Sequence, residues 1–416
     1  MLHRRDLLKG FLGAGAAAGS PILWTPSVFA AKETRGHNSY FAKLNEMLKR
    51  EGPGHPVMLI DTTRMSNNIS RITESVGREK NYRIVVKSLP SVPLLREVMS
   101  KAKTESLMVF HQPFLNAVAQ AFPSSNVLVG KPMPVAAVKR FYQTLNHERY
   151  DAQNNVQWLV DSKPRLLQYQ AFARQQGLRL GINFEIDVGL RRGGLAQPEL
   201  LSECLAIIAG DAEHLHFTGL MGYEPQLTGL KADLSNPAVN EVLGIYRGFI
   251  DRAQLGGYDP DKLVLNGAGS HTLKIYEKDN TMNDLSAGSG VVMPTDFDTY
   301  HLTDHQPALF IATPILKRYQ QNPFTDEPPV GMEQVYYIYG GYWKANMVSP
   351  YPVAEPIYQS TNQSPVVTST HINLEVDDYM FLRPTQSEFV MLQFGDLLAV
   401  SNGQISDRWP VFHQTG

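Results

Sequence analysis

A lysine closes the apolar run Arg83-Ile84-Val85-Val86-Lys87. An amine at the carboxyl end of a buried strand is partly desolvated, and an imine with an aldehyde becomes accessible to it. Alone, such a lysine reads first as a stem snorkelling from a strand terminus, so other residues must decide. Two glycine-rich blocks lie downstream, Asp187-Val188-Gly189-Leu190-Arg191-Arg192-Gly193-Gly194-Leu195 and Asn266-Gly267-Ala268-Gly269-Ser270-His271-Thr272. Each alone is compatible with a plain turn, the first carrying a solvated arginine pair. Tyr223 follows an apolar run and reads either as a core tyrosine or as a group facing a site. His111 reads as a rim histidine. Glu185 and Asp187 alternate on one strand and could share a face as a hydrolase pair, the weakest reading, because no nucleophile accompanies them.

The elements that must position these groups alternate in type. Short apolar runs at Arg83 to Lys87, Leu107 to Phe110, Val127 to Val129, Gln157 to Asp161, Leu180 to Asp187, Phe217 to Met221, Leu263 to Asn266 and Leu285 to Gly288 read as strands. Amphipathic stretches lie between them, including Val92 to Lys103, Pro134 to Leu145, Pro164 to Gln175 and Pro237 to Leu255, several opening on a proline that suits a first helical turn. Eight such units predict an α/β fold, a (β/α)₈ barrel, whose chemistry sits at the carboxyl ends of its strands. From about Tyr300 the texture turns β-rich, with strands at Val335 to Tyr339, Val366 to Ile372, Tyr379 to Leu382, Val390 to Val400 and Gln404 to Phe412. Asn402-Gly403 signals a tight hairpin, and Asn322 to Gly331 reads as a linker or surface loop. The expected organisation is a leader over 1–30, the barrel over 31–299 and a smaller, mainly β domain over 300–416.

The 416 residues are 43% hydrophobic, enough for a large core, and 38 basic against 40 acidic residues give no field for a nucleic-acid backbone. The single cysteine, Cys204, excludes an internal disulfide and a zinc site built on several cysteines. The first 30 residues read as an export signal: Arg4-Arg5-Asp6-Leu7-Leu8-Lys9, an apolar run and Val28-Phe29-Ala30 at the cleavage point. The paired arginines resemble the twin-arginine type, with a general secretory signal as the alternative. The expectation is a periplasmic protein that meets the twin-arginine machinery and has no stable membrane insertion.

Three blocks together resemble the fold-type III family of D-threonine aldolases, D-serine dehydratases and alanine racemases over most of the mature chain. They are His55 to Asp61 followed by Met65 to Ile72 and Lys87, then Asp187 to Leu195, then Asn266 to Thr272. The resemblance implies pyridoxal 5′-phosphate (PLP) as cofactor and Lys87 as the lysine that carries it. It implies Arg192, with Arg191 as possible substitute, at the pyridine nitrogen and Tyr223 against the cofactor. Gly267, Gly269, Ser270 and Thr272 would lie around the phosphate. An arginine there keeps the ring nitrogen unprotonated, which favours racemase, aldolase or elimination chemistry over transamination.

The C-terminal domain also resembles that of the aldolases and D-serine dehydratases, whose metal ligands follow a proline. Here the run is Arg383-Pro384-Thr385-Gln386-Ser387-Glu388, with Gln386 and Glu388 at the ligand positions. An amide and one carboxylate suit zinc or manganese poorly, so no metal is expected, and the pair is read as substrate-binding or as a degenerate metal site. His371 matches a family histidine and is a candidate acid–base group, or simply a structural histidine. Gly290 stands where the family has a tyrosine. The implied activity is a PLP-dependent lyase acting on a D-amino acid. The alternatives are a periplasmic amino-acid racemase, with Tyr336, Tyr337, Tyr339 and Tyr342 as candidate second acid–base groups, or an amino-acid-binding protein without turnover. The family's racemases dimerise, so a homodimer is among the expectations.

Overall fold

A computed structural model describes residues 36–319, 334–351 and 356–415. The leader and the Asn322 to Gly331 loop lie outside the described residues.

The chain enters through α1 (Ser39–Glu51), capped by the Asn38 side chain, and β1 (Val57–Asp61). Asp61 then caps α2 (Thr62–Val76) by accepting from the amides of Thr63 and Arg64. The barrel begins with β2 (Asn81–Val85) and α3 (Val92–Ala102), β3 (Ser106–Val109) and α4 (Gln112–Ala121), β4 (Asn126–Val129) and α5 (Val135–Thr144). A short α6 (Ala152–Asn155) leads to β5 (Val156–Val160) and α7 (Lys163–Gln176), then β6 (Leu180–Glu185) and α8 (Pro198–Ala209), and β7 (Leu215–Met221) and α9 (Pro237–Leu255). Strands β8 (Val264–Gly267) and β9 (Asp284–Ala287) complete it, and β9 pairs in parallel with β2 to close the ring. Proline occupies the first turn of α3, α4, α7, α8 and α9, where no amide is needed.

One layer of the barrel interior is polar. Arg83, 1% exposed, forks onto Asp284 with two bonds of 2.8 Å and donates to the carbonyls of Leu107 and Asn126. Asn266 Nδ2 donates to Ser286 Oγ at 2.8 Å and links this layer to the carboxyl-end mouth.

The second sheet contains β10 (Leu309–Tyr319), β11 (Gln334–Tyr339), β12 (Ala345–Ser349), β13 (Gln363–Thr368), β14 (Tyr379–Pro384), β15 (Asp396–Ser401) and β16 (Gln404–Pro410). Its order is β12-β14-β10-β1-β15-β16, with β11 and β13 extending from β10. Thus β1 belongs here, antiparallel to β10 and parallel to β15, and not to the barrel. The strand is buried on both faces. Val57 and Leu59 pack with Phe41, Leu44 and Leu48 of α1, whereas Met58 and Ile60 join the barrel's core. The segment before α2 therefore departs from the expectation of a purely barrel unit over 31–299.

The expected strand over Val390 to Val400 is instead split into the short helix α10 (Glu388–Met391), a turn and β15. At the β15–β16 hairpin, Asn402 and Gly403 take φ of 51° and 74°, as an Asn-Gly turn requires. Among the described residues, no helix is long and apolar enough to cross a membrane.

Candidate active site

The carboxyl-end mouth of the barrel holds a cavity of about 380 Å³. Lys87 enters it from a single 3₁₀ turn, Val86–Ser88, that follows β2 directly. Val86 is fully buried and anchors the turn, leaving the lysine stem beside Phe110, whose ring centre lies 5.1 Å from Nζ. Nζ meets Glu388 Oε1 at 2.7 Å, with Lys87 41% and Glu388 35% exposed.

Glu388 reaches the mouth because the end of β14 is fastened to the loop after β9. Arg383 donates to the carbonyls of Met293 and Pro294 and forks onto Asp298 at 2.8 and 2.6 Å. Ser387 Oγ meets Ser289 Oγ at 2.9 Å, and Gln386 Nε2 donates to Asp296 Oδ2 at 2.8 Å. Gln386 and Glu388 both line the cavity. Among the described residues, no three His, Cys, Asp or Glu side chains gather to hold a metal.

The loop after β6 folds back on its own strand: Leu195 N donates to Glu185 O and Asp187 N to Leu195 O. Gly194, at φ 96°, lies where a Cβ would press on the backbone of Glu185 and Ile186. Arg192 then lies over the Tyr223 ring at 5.3 Å, and both line the cavity. Arg191 does not; its amide, like that of Gly189, donates to Asp187 Oδ1. Asp187 is thereby a loop-bracing group. Glu185 is raised above the usual carboxylate range by burial, opposed by Arg192 at 3.8 Å.

Of the residues expected around a phosphate, Gly269 and Ser270 line the cavity, while Gly267 and Thr272 do not. A Cβ at Gly267 would run into Met282 Sδ, so this glycine serves close packing. Thr272, 1% exposed, accepts from Gly269 N at 3.0 Å and donates to Glu224 Oε1 at 2.6 Å. Ser270 Oγ accepts from the amides of Gly288 and Gly290. A side chain at Gly290 would press on Ser270, and Gly290 itself does not line the cavity. Ser270, His271 and Ser289 line the cavity, and their backbone amides have no acceptor among the described residues.

His371 is absent from the cavity. It sits exposed in a turn, its amide donating to Ser369 Oγ, because the adjacent Ile372 is buried in the second sheet's own apolar cluster. Tyr336 is buried and committed to Ile372 O and Leu374 N, and Tyr337, Tyr339 and Tyr342 do not line the cavity. His111 meets Gln414 O at 2.9 Å, away from the cavity lining.

Sequence reasoning missed His271, Phe297 and Glu224. His271 stacks on Phe297 at 4.2 Å in the cavity wall, and burial lowers its pKa, opposed by Asp296. Its only signal was its place inside the glycine-rich block.

A phosphorylated pyridine aldehyde fits this arrangement: an amine for the aldehyde, Tyr223 and Arg192 for the ring, and three unpartnered amides for the phosphate. In sequence, the chain is 26% identical over 168 residues to a 3-hydroxy-D-aspartate aldolase of Paracoccus denitrificans (strain Pd 1222), covering 38% of this chain and 42% of that protein. The match thus spans about two fifths of the curated relative. In structure, it resembles D-threonine aldolase from Filomicrobium marinum, with a TM-score of 0.71 and 15% identity over 87% of this chain and 98% of that one. It also resembles D-threo-3-hydroxyaspartate dehydratase from Delftia sp. HT23, with a TM-score of 0.68 and 15% identity over 86% and 97%. At such identities the structural likeness speaks to the fold. Residues 60–295, more than half of the chain, match the family model for the alanine racemase N-terminal domain, and the protein belongs to that PLP-dependent family.

Proposed function

We propose that the chain is a PLP-dependent lyase acting on a β-hydroxy-D-amino acid, by retro-aldol cleavage or by elimination of water. The observation that carries this reading is the 2.7 Å pairing of Lys87 with Glu388 in the cavity whose other wall offers the unpartnered amides. Bound PLP supplies an electrophile for the amino group and an electron sink for the bonds at Cα. Lys87 is the residue for holding the cofactor and exchanging a proton at Cα. Arg192, which cannot give up its own proton, sets a permanent positive charge on the Tyr223 side. Glu388 is the carboxylate that would take the β-hydroxyl proton in cleavage; in elimination the proton that Lys87 removes from Cα would pass across the 2.7 Å pairing to Glu388 and on to the departing hydroxyl, which leaves as water. Gln386, oriented by Asp296, offers an amide to the substrate. Phe110, Met108 and Phe297 give the same cavity an apolar wall.

The aldolase and dehydratase activities of the relatives named above favour a lyase. A racemase needs a second acid–base group across from Lys87, and none of the four candidate tyrosines lines the cavity. Borohydride reduction and peptide mapping should place the pyridoxyl group on Lys87, and Lys87→Ala should lose the visible absorption band and turnover together. With D-threonine, D-serine and 3-hydroxy-D-aspartate the protein should release aldehyde or ammonia. Racemisation with neither product, or a pyridoxyl group on another lysine, would overturn the reading. We propose also that residues 1–30 direct twin-arginine export to the periplasm; replacing Arg4 and Arg5 with lysine should retain the protein in the cytoplasm, and undiminished periplasmic delivery would refute it.

A further inference from the structure

Glu224 is 1% exposed and belongs to no ion pair among the described residues. It follows β7 and lies under the turn that links β8 to the cavity wall. Its carboxyl accepts from Thr272 Oγ1 at 2.6 Å, and the nearby backbone amides of Ala268 and of Glu224 itself favour its ionised form. Thr272 Oγ1 in turn accepts from Gly269 N. One carboxyl therefore ties down both ends of the turn whose middle residues, Ser270 and His271, present unpartnered amides to the cavity. The other titratable groups that act on or feel this carboxyl are the phenols of Tyr223, Tyr246 and Tyr276.

We propose that Glu224 is the positioning residue of this anion-binding turn, and that a phosphoryl group bound at the turn is accompanied by uptake of a proton on Glu224. The inference holds whichever reaction the enzyme performs. A buried carboxylate held only by neutral donors is costly, and burial, opposed by Thr272 and the nearby backbone amides, pushes Glu224 up to about 7. A second negative charge on the far side of the same turn disfavours the ionised form further. The sign follows. Above about pH 7 the unloaded protein holds Glu224 ionised, the loaded protein holds it neutral, and affinity for the anion falls as pH rises through that range.

The test uses the full chain freed of cofactor and pyridoxine 5′-phosphate, which has no aldehyde and so cannot engage Lys87 covalently. Calorimetric titration at pH 8 in buffers of different ionisation enthalpy should show uptake of about half a proton or more per ligand. Glu224→Gln, which keeps the hydrogen-bonding shape without the charge, should bind with that uptake removed. The phosphate's own ionisation is common to both proteins and cancels in the comparison. Thr272→Val should weaken binding about tenfold by freeing the turn. Equal proton uptake in wild type and Glu224→Gln, unchanged affinity in Thr272→Val, or failure of wild type to bind the probe would each overturn the proposal. Pyridoxyl labelling of Lys87 separates that last result from an error in the cofactor site itself.

Discussion

Replacing Glu388 with glutamine removes a negative charge from the cavity while keeping a side chain of the same length. Apart from Glu388, the charged groups lining the cavity among the described residues are Lys87, the proposed cofactor lysine, and Arg192, which lies over Tyr223. An acidic substrate side chain would therefore meet Glu388 without a cation of its own. Two unit charges about 5 Å apart repel by roughly 3 kcal/mol at an effective dielectric of ~20. Glu388 is 35% exposed, and solvent screening reduces that to about 1 kcal/mol, or roughly fivefold in a ratio of rates. Wild-type protein should thus favour D-threonine over 3-hydroxy-D-aspartate in kcat/KM. Both variants should lose turnover with either substrate because the proposed proton-handling group is gone, but in the residual kcat/KM Glu388→Gln should shift the ratio toward the acidic substrate by about fivefold and Glu388→Arg should shift it further by adding an attraction. Stability should hardly change, because the Lys87 pair is half in water. If the ratio of kcat/KM values is the same in all three proteins, Glu388 does not face the substrate side chain.

Other outcomes follow from buried groups. His37, 1% exposed, pairs through Nδ1 with Ser349 Oγ while its Nε2 has no hydrogen-bond partner among the described residues, and burial lowers its pKa from 6.5 to about 4, opposed by the Asp378 charge and the nearby Tyr379 backbone. The unfolded chain then binds a proton that the folded chain refuses, so stability should fall by up to roughly 3 kcal/mol between pH 6.5 and 4. His37→Gln should flatten that limb in urea unfolding, and an unaltered slope would count against the assignment. Arg83→Met should strand Asp284 in the barrel interior and cost about 3–5 kcal/mol, while Arg83→Met with Asp284→Asn should recover much of the loss. A single-variant loss below about 1 kcal/mol by denaturant unfolding would show that water reaches this layer.

All eight barrel strands were legible as short, mostly apolar runs because a parallel strand is buried on both faces, and the polar residues of the interior layer, such as Arg83 and Asn183, interrupt them only singly. The same property concealed the membership of β1, since Val57 to Ile60 would look identical in the barrel or in the second sheet. Strand β10 was missed because Pro314 interrupts it, though its last four residues are largely exposed and carry Lys317 and Arg318. Strand β12, with polar Asn346 and Ser349, offers too weak a pattern to read. Local alternation suggested a strand over Val390 to Val400. The opening turn of α10, with Glu388 favourable at a helix start, wins over it.

At the site, what sequence carried was the barrel-side set: Lys87, Arg192, Tyr223, Gly269 and Ser270 all line one cavity. What it could not carry was the consequence of joining distant segments. Thr272 has a hydroxyl suited to a phosphate, yet Glu224, 48 residues earlier, takes that hydroxyl and leaves the backbone amides as the free donors. His371 lies one residue before Ile372 and three before Leu374, both buried in the second sheet's cluster, and that anchoring holds it away from the mouth. Glu388, by contrast, is brought to Lys87 across 301 positions of sequence because Arg383, buried at 7% exposure, fastens its segment to Asp298. Ligand-position residues of the wrong type for a transition metal thus become a charged partner for the barrel's amine. The two groups to which the proposed function assigns proton handling and cofactor holding, Glu388 and Lys87, thus come from two different parts of the fold, and the Arg383–Asp298 fork fastens the segment that carries Glu388.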